Sequence, residues 1–264
     1  MPEESNLSVC IRYDSSKFVG TLATPRGVKR MNTSVQTISL SGLILAFLPT
    51  LIVIGILFRW SLDARTALYA VARMLMQLLL IGYILIYIFN TDHPGIIVFV
   101  ITIMLLAASW IALRPLKSKQ PHLYWQALGA ILLGGIPTLA LVTQVVLNIQ
   151  PWFLPRYFIP LAGMILASCM NTVSIAAERF EAECDGAIPY IQARNTALQA
   201  SLIPVTNSLF AVGLVSLPGM MTGQILSGIS PLVAAQYQIV VMCMIFGASG
   251  MSATIYLVLA KRRS

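Results

Sequence analysis

Between Asn195 and Ala260 the chain reads NTALQASLIPVTNSLFAVGLVSLPGMMTGQILSGISPLVAAQYQIVVMCMIFGASGMSATIYLVLA, 66 residues without one Asp, Glu, Lys or Arg. A folded domain in water carries charge on about a quarter of its residues, so this stretch has no aqueous surface to offer. The rest of the chain follows suit: 58% of its 264 residues are hydrophobic and only 10% charged, with a mean hydropathy of +0.83. A membrane-spanning helix needs about 20 mostly apolar residues. Runs of that kind are read at Ile38 to Phe58, Leu68 to Phe89, Ile96 to Leu113, Trp125 to Leu147, Phe158 to Ala177, Ala200 to Leu217 and Ala234 to Ala260. The expected fold is an all-α polytopic membrane protein with about seven transmembrane helices, a single transmembrane domain over 38–264. Pro218 to Gly228, uncharged but rich in Gly and Pro, is predicted to be a re-entrant or broken-helix hairpin before the last span. All four tryptophans, Trp60, Trp110, Trp125 and Trp152, fall at span ends, where the amphipathic ring favours the headgroup zone.

Basic residues give the orientation. Sorted onto alternate sides of seven helices, Arg59, Arg65, Arg114, Lys117, Lys119, Arg179, Arg194, Lys261, Arg262 and Arg263 share one side, while among the loops only Arg156 lies on the other. The loaded side is expected to be cytoplasmic, with the C-terminus inside and the N-terminus outside an inner (plasma) membrane. An eighth full crossing at the hairpin would strand Lys261, Arg262 and Arg263 outside. Residues 1–37 form a tail with five basic residues, Arg12, Lys17, Arg26, Lys29 and Arg30, on the wrong side for this orientation. The tail has no apolar core of a signal peptide, and Met31-Asn32-Thr33 directly precedes the first span, so it is expected to be disordered or to reflect a start at Met31.

Several chemistries are disfavoured. The basic residues are scattered singly, unlike a nucleic-acid surface, and the four cysteines share no CxxC spacing, so neither a disulfide framework nor a zinc site is indicated. Every Asp and Glu lies outside the apolar runs, and His93 and His122 lie in short loops. Gly247-Ala248-Ser249-Gly250 resembles the serine motif of rhomboid proteases, but such a serine needs a base, and no span holds a histidine. The ordinary reading of these small residues is close helix approach. A gradient-driven carrier, which usually places a titratable group in the membrane, finds none here. A non-transporting scaffold is a further alternative. No phosphate-binding loop G-x-x-x-x-G-K-[ST] occurs, so any nucleotide hydrolysis belongs to another subunit.

The largest polar connection, Glu178 to Gln199, lies on the expected cytoplasmic side and has room for a helix or two. It carries Glu178, Arg179, Glu181, Glu183, Asp185, Gly186, Pro189 and Arg194. Its pattern loosely resembles the coupling loop of ABC permeases, with Ile203-Pro204 falling later than in that pattern. Within the spans, Asn171, Asn207 and Gln224 come from three different segments; amides at bilayer depth need partners, either across helices or around a shared cavity. Met220-Met221 in the hairpin, with Met164 and Met170, offer thioethers that suit Cu(I) better than Fe(II), although methionine is also a common gap filler. Arg73 and Gln77 share a helix face, and Arg73 is expected to snorkel to the interface.

Four segments together carry a family resemblance. Leu214 to Leu226, Ala200 to Asn207, Gly163-Met164 with Met170-Asn171, and Tyr237-Gln238-Ile239 make the chain from about Ile38 to Arg262 similar to the FetB-type ABC permeases, described as iron exporters, with plant relatives linked to aluminium tolerance. This chain has Ala167-Ser168-Cys169 where that family's pattern has a Gly and an Asn. The resemblance implies two permease copies pairing with two cytoplasmic ABC ATPases, so that ATP acts through the partner and this chain binds no cofactor itself. It implies ATPase docking at Glu178, Glu181, Asp185, Gly186, Pro189 and Arg194. It further implies a pathway or gate element in the Pro218 to Gly228 hairpin, so that with the span amides the candidate translocation residues are Asn171, Asn207, Pro218, Met220, Met221 and Gln224. Iron is inherited from the resemblance alone, since the spans offer no hard-oxygen or histidine ligand set.

Overall fold

The computed structural model describes residues 39–89, 93–116, 121–186 and 188–260. The tail and its candidate start at Met31 lie outside the described residues, as do Lys117, Lys119, Lys261, Arg262 and Arg263. Among the described residues the chain is helical throughout: α1 (Leu40–Ala46), α2 (Leu48–Arg59), α3 (Ala64–Phe89), α4 (Pro94–Ala112), α5 (Pro121–Ala140), α6 (Pro155–Asp185), α7 (Tyr190–Ala211), α8 (Gly219–Leu226) and α9 (Pro231–Ala260). Proline opens α4, α5, α6 and α9, where its missing N–H leaves no helical bond unmade. Pro49 interrupts the first span for the complementary reason, because it cannot bond the Leu45 carbonyl. The Phe47 N–H turns back to Ile44 and Leu45 instead, which separates α1 from α2. A π-helical turn, Leu141–Val146, extends α5, and Thr143 donates its hydroxyl proton to the Leu139 carbonyl there at 2.8 Å.

Among the described residues, six stretches are long and apolar enough to cross a membrane: Leu40–Arg59, Ala64–Ile86, Pro94–Ala112, Pro121–Val146, Pro155–Asp185 and Pro231–Ala260. They match six of the seven expected spans. The seventh, expected at Ala200 to Leu217, is corrected: the helix begins ten residues earlier at Tyr190 and stops at Ala211. Its apolar part, Ala200 to Ala211, is about 18 Å long, well short of a hydrocarbon core of about 30 Å. The stop is built by Gly213, at φ +83°, which turns the chain so that the Val215 and Ser216 amides donate to the Ala211 carbonyl at 2.8 and 3.1 Å. α8 then forms one short helix, closed by Gly228 at φ +89°.

The core lies among α4, α5, α6, α7 and α9, while α1 and α2 bury no residue. Exposed apolar faces on α1–α3 suit lipid rather than water. The guanidinium of Arg73 on α3 sits 5.8 Å from the ring centre of Trp110 on α4. Close backbone approach organises the centre. A Cβ on Gly134 of α5 would collide with Ser252 of α9, reaching its amide nitrogen at 2.7 Å, and one on Gly135 would lie 3.2 Å from Ile165 of α6.

Candidate functional site

α6, α7, α8 and α9 line a half-open cavity of about 430 Å³. Helical spacing explains who lines it. Met164, Ser168, Asn171, Thr172 and Ile175 share one face of α6, and Ser201, Pro204, Val205 and Ser208 share one face of α7. Pro218, Gly219 and Met220 reach it from the start of α8, and Gln238, Val241, Met242 and Ile245 from α9. The broken α7–α8 connection brings irregular backbone to the wall through Val212 and Ser216, the circumstance in which such backbone is tolerated at membrane depth. No lining residue is charged.

Three hydroxyls in this wall are held by backbone carbonyls. Thr172 donates to the Ser168 carbonyl at 2.9 Å, Ser201 to Leu198 at 2.8 Å and Ser208 to Pro204 at 3.0 Å. The Ser168 and Ser249 hydroxyls meet at 2.7 Å and tie α6 to α9. That pair accounts for the Gly247 to Gly250 segment: Ser249 is fully buried and serves helix packing. Gln238 is 6% exposed, yet its Oε1 has no hydrogen-bond partner.

The expected pathway residues divide. Asn171, Pro218 and Met220 line this cavity together. Met221 lines a neighbouring one of about 320 Å³ with Met242 and Cys243, and Gln238 borders both. Asn207 is exposed on α7 and lines neither, and Gln224 on α8 is partly buried with an unpartnered Oε1, also outside both. The three amides therefore do not converge. Gln238 and the Ser168–Ser249 pair were not singled out as site residues by the sequence, although the spacing Gln238, Val241, Met242, Ile245 marks a helix face.

The expected docking connection is mostly helix. Glu178, Glu181 and Asp185 belong to the last turns of α6, whose 31 residues span about 46 Å and so outrun the hydrocarbon core. Gly186 closes α6, Pro189 precedes α7, and Arg194 lies on α7, so the connection is a helix–turn–helix. Tyr190 anchors it: its hydroxyl donates to the Leu257 carbonyl of α9 at 3.0 Å and its ring packs edge-on against Phe180. Arg179 pairs with Glu183, while Arg194 donates to the Asn195 side-chain oxygen at 2.9 Å and lies over the Tyr190 ring. Glu181 and Asp185 line a cavity of about 200 Å³ with His122, Gln126 and Cys184, whereas Glu178 is exposed elsewhere. Among the described residues no group of three or more His, Cys, Asp or Glu is arranged to hold a metal ion.

The model of the uncharacterised protein family UPF0014 matches residues 40–194 and 188–264. The chain is 38% identical over 212 residues to the UPF0014 membrane protein slr1647 of Synechocystis sp., an overlap of 72% of this chain and 81% of that protein. It is 37% identical over 200 residues to the protein ALUMINUM SENSITIVE 3 of Arabidopsis thaliana, covering 70% of this chain and 72% of that protein. With the probable iron export permease protein FetB of Escherichia coli it shares 31% identity over 215 residues, 75% of this chain and 81% of the relative. No solved structure matches. With six helices among the described residues long and apolar enough to cross a membrane, and a family match over residues 40–194 and 188–264, this chain is a multi-pass membrane protein of the UPF0014 family.

Proposed function

We propose that this chain is the membrane-spanning permease subunit of an ABC exporter that moves iron or another metal, or a metal complex, and is driven by a separate ATPase. The observation that carries the proposal is the uncharged cavity, mostly apolar but with hydroxyls and two amides in its wall, where the incomplete helix α7 and the short α8 meet α6 and α9. Broken helices around a cavity at membrane depth are the usual architecture of a solute pathway. The relationship to a protein named as a probable iron export permease supports the choice of cargo. Asn171, Pro218 and Met220 would form the pathway wall, with Asn207, Met221 and Gln224 on the flanking α7–α8 segment that moves.

In this reading the chain binds no cofactor and catalyses no reaction; ATP acts through the partner. Two copies form a homodimer in the plasma membrane, with the C-terminus cytoplasmic and the N-terminus outside. The ATPase docks on the α6–α7 turn through Glu178, Glu181, Asp185, Gly186, Pro189 and Arg194. Tyr190 passes its movement to α9 by the bond to Leu257. Affinity purification of the tagged chain in mild detergent tests the proposal. A stoichiometric ABC ATPase that hydrolyses ATP in the complex is the expected result, and a well-folded chain that brings down none would refute it.

A further inference from the structure

Gln77 stands at the middle of α3, about 18–20 Å from either end of that helix. Its side chain is too short to carry the amide to a headgroup zone from there. The residue is exposed, and among the described residues it has no hydrogen-bond partner. Water would satisfy such an amide; lipid tails cannot. Gln77 is therefore an exception on the lipid-suited surface of α1–α3. The two spans built from these helices are also loosely packed. Neither buries a residue within its apolar stretch, whereas the other four bury 28–44% of theirs, so this side of the chain has room for a further helix.

We infer that a second copy of this chain covers the Gln77 face of α3, with the two Gln77 amides bonded to each other across a two-fold axis; the inference rests on the homodimer proposed above. The amide selects the occupant. Its nitrogen donates and its oxygen accepts, so it is its own complement, and two copies inserted the same way up bring the same residue to the same depth. The helix supplies the seam. Ala70, Gln77, Leu80 and Ile84 share one face of α3, and all are exposed. A single polar residue in an otherwise apolar seam fixes which positions meet. Arg73, one turn before Gln77, would set like charges against each other at the axis, but its guanidinium is turned aside over Trp110 of its own chain, 5.8 Å from the ring centre.

Cross-linking in membranes tests this on the full chain with Cys10, Cys184 and Cys243 changed to Ser; Cys169 is fully buried and stays. Oxidised with copper phenanthroline, Ile84→Cys on the Gln77 face should form a disulfide-linked dimer, and Leu79→Cys, exposed on the opposite face of α3, should not. Energy transfer between labelled chains, followed on dilution in lipid vesicles, measures the pairing itself. Gln77→Leu should weaken it by about tenfold through the loss of two interhelical hydrogen bonds, and Gln77→Asn, another self-complementary amide, should keep most of it. If Gln77→Leu folds poorly, the two cysteine variants decide the matter. Equal cross-linking at both positions, none at Ile84→Cys, capture of a different protein there, or pairing unchanged in Gln77→Leu would overturn the inference. A chain that brings down its ATPase and pairs through another face overturns this interface and leaves the permease reading standing. An Ile84→Cys dimer without any ATPase does the reverse.

Discussion

Gly134→Ala probes the α5–α9 contact at its tightest point. The added methyl would sit 2.7 Å from the Ser252 amide nitrogen and 2.9 Å from its Cα, besides meeting its hydroxyl. Backbone atoms cannot rotate away, so the helices must separate. Overpacking of this kind costs about 1–3 kcal/mol, and replacing glycine by alanine in a helix returns about 1 kcal/mol. With backbone as the obstacle the upper end applies, which leaves a net loss of about 2 kcal/mol, or about thirtyfold in the unfolding equilibrium. Reversible unfolding in mixed micelles, driven by a denaturing detergent, measures it. Gly129→Ala is the control, because nothing lies within 4 Å of a Cβ there; it should be neutral or slightly stabilising. Adding Ser252→Ala to Gly134→Ala should recover little, since the backbone clash remains. A Gly134→Ala protein as stable as the wild type would refute the close approach.

Three further outcomes follow from the site and the helix ends. Asn171→Leu should abolish ATP-driven flux while ATPase binding persists, whereas Asn207→Leu, outside the cavity wall, should transport within about twofold of wild type, a ratio worth less than 1 kcal/mol; flux assays on both variants check this. Leu at Gly186 together with Ala at Pro189 should uncouple hydrolysis from flux without unfolding the spans. Gly186 has φ −80° and a Cβ there would come no closer than 3.4 Å to the Glu183 carbonyl, so the turn has room for the change. Asp63 caps α3: the Thr66 hydroxyl, and then the Thr66 amide at 3.0 Å, hold its carboxyl below the usual carboxylate range. A depressed folded value means the cap contributes above the unfolded carboxylate value and is lost as pH falls through the folded one. Amide exchange at Thr66, relative to its intrinsic rate, should therefore rise below about pH 3.8 and lose that pH step in Asp63→Asn.

Hydropathy made most of the fold legible because a bilayer demands long apolar helices and little else. The exception at Ala200 to Leu217 is instructive. The residues after Ala211 are as apolar as a span, so composition could not mark the stop; the informative signals were Gly213 and Pro218, which act through backbone geometry. Charges from Glu178 to Arg194 were read as a loop because polar residues usually leave a span there. Here Glu178 to Asp185 ride on α6, which is longer than the hydrocarbon core is thick, and Arg194 rides on the first turns of α7. The cavity was half legible. Asn171 announced itself as an amide in an apolar run, and Pro218 and Met220 as a helix breaker and a thioether in the Gly- and Pro-rich hairpin, but their assembly depends on where α7 breaks. Gln238 stayed hidden because a single amide near the start of a long apolar helix looks like an interfacial residue until the packing buries it.

The central claim is tested most directly by ATP-driven metal flux in proteoliposomes that contain the chain together with the ATPase it brings down. Metal accumulation in inside-out vesicles that requires ATP, and that disappears in Asn171→Leu while hydrolysis continues, is the result this account predicts. ATP hydrolysis with no net movement of Fe²⁺ or Mn²⁺ in either direction would contradict it.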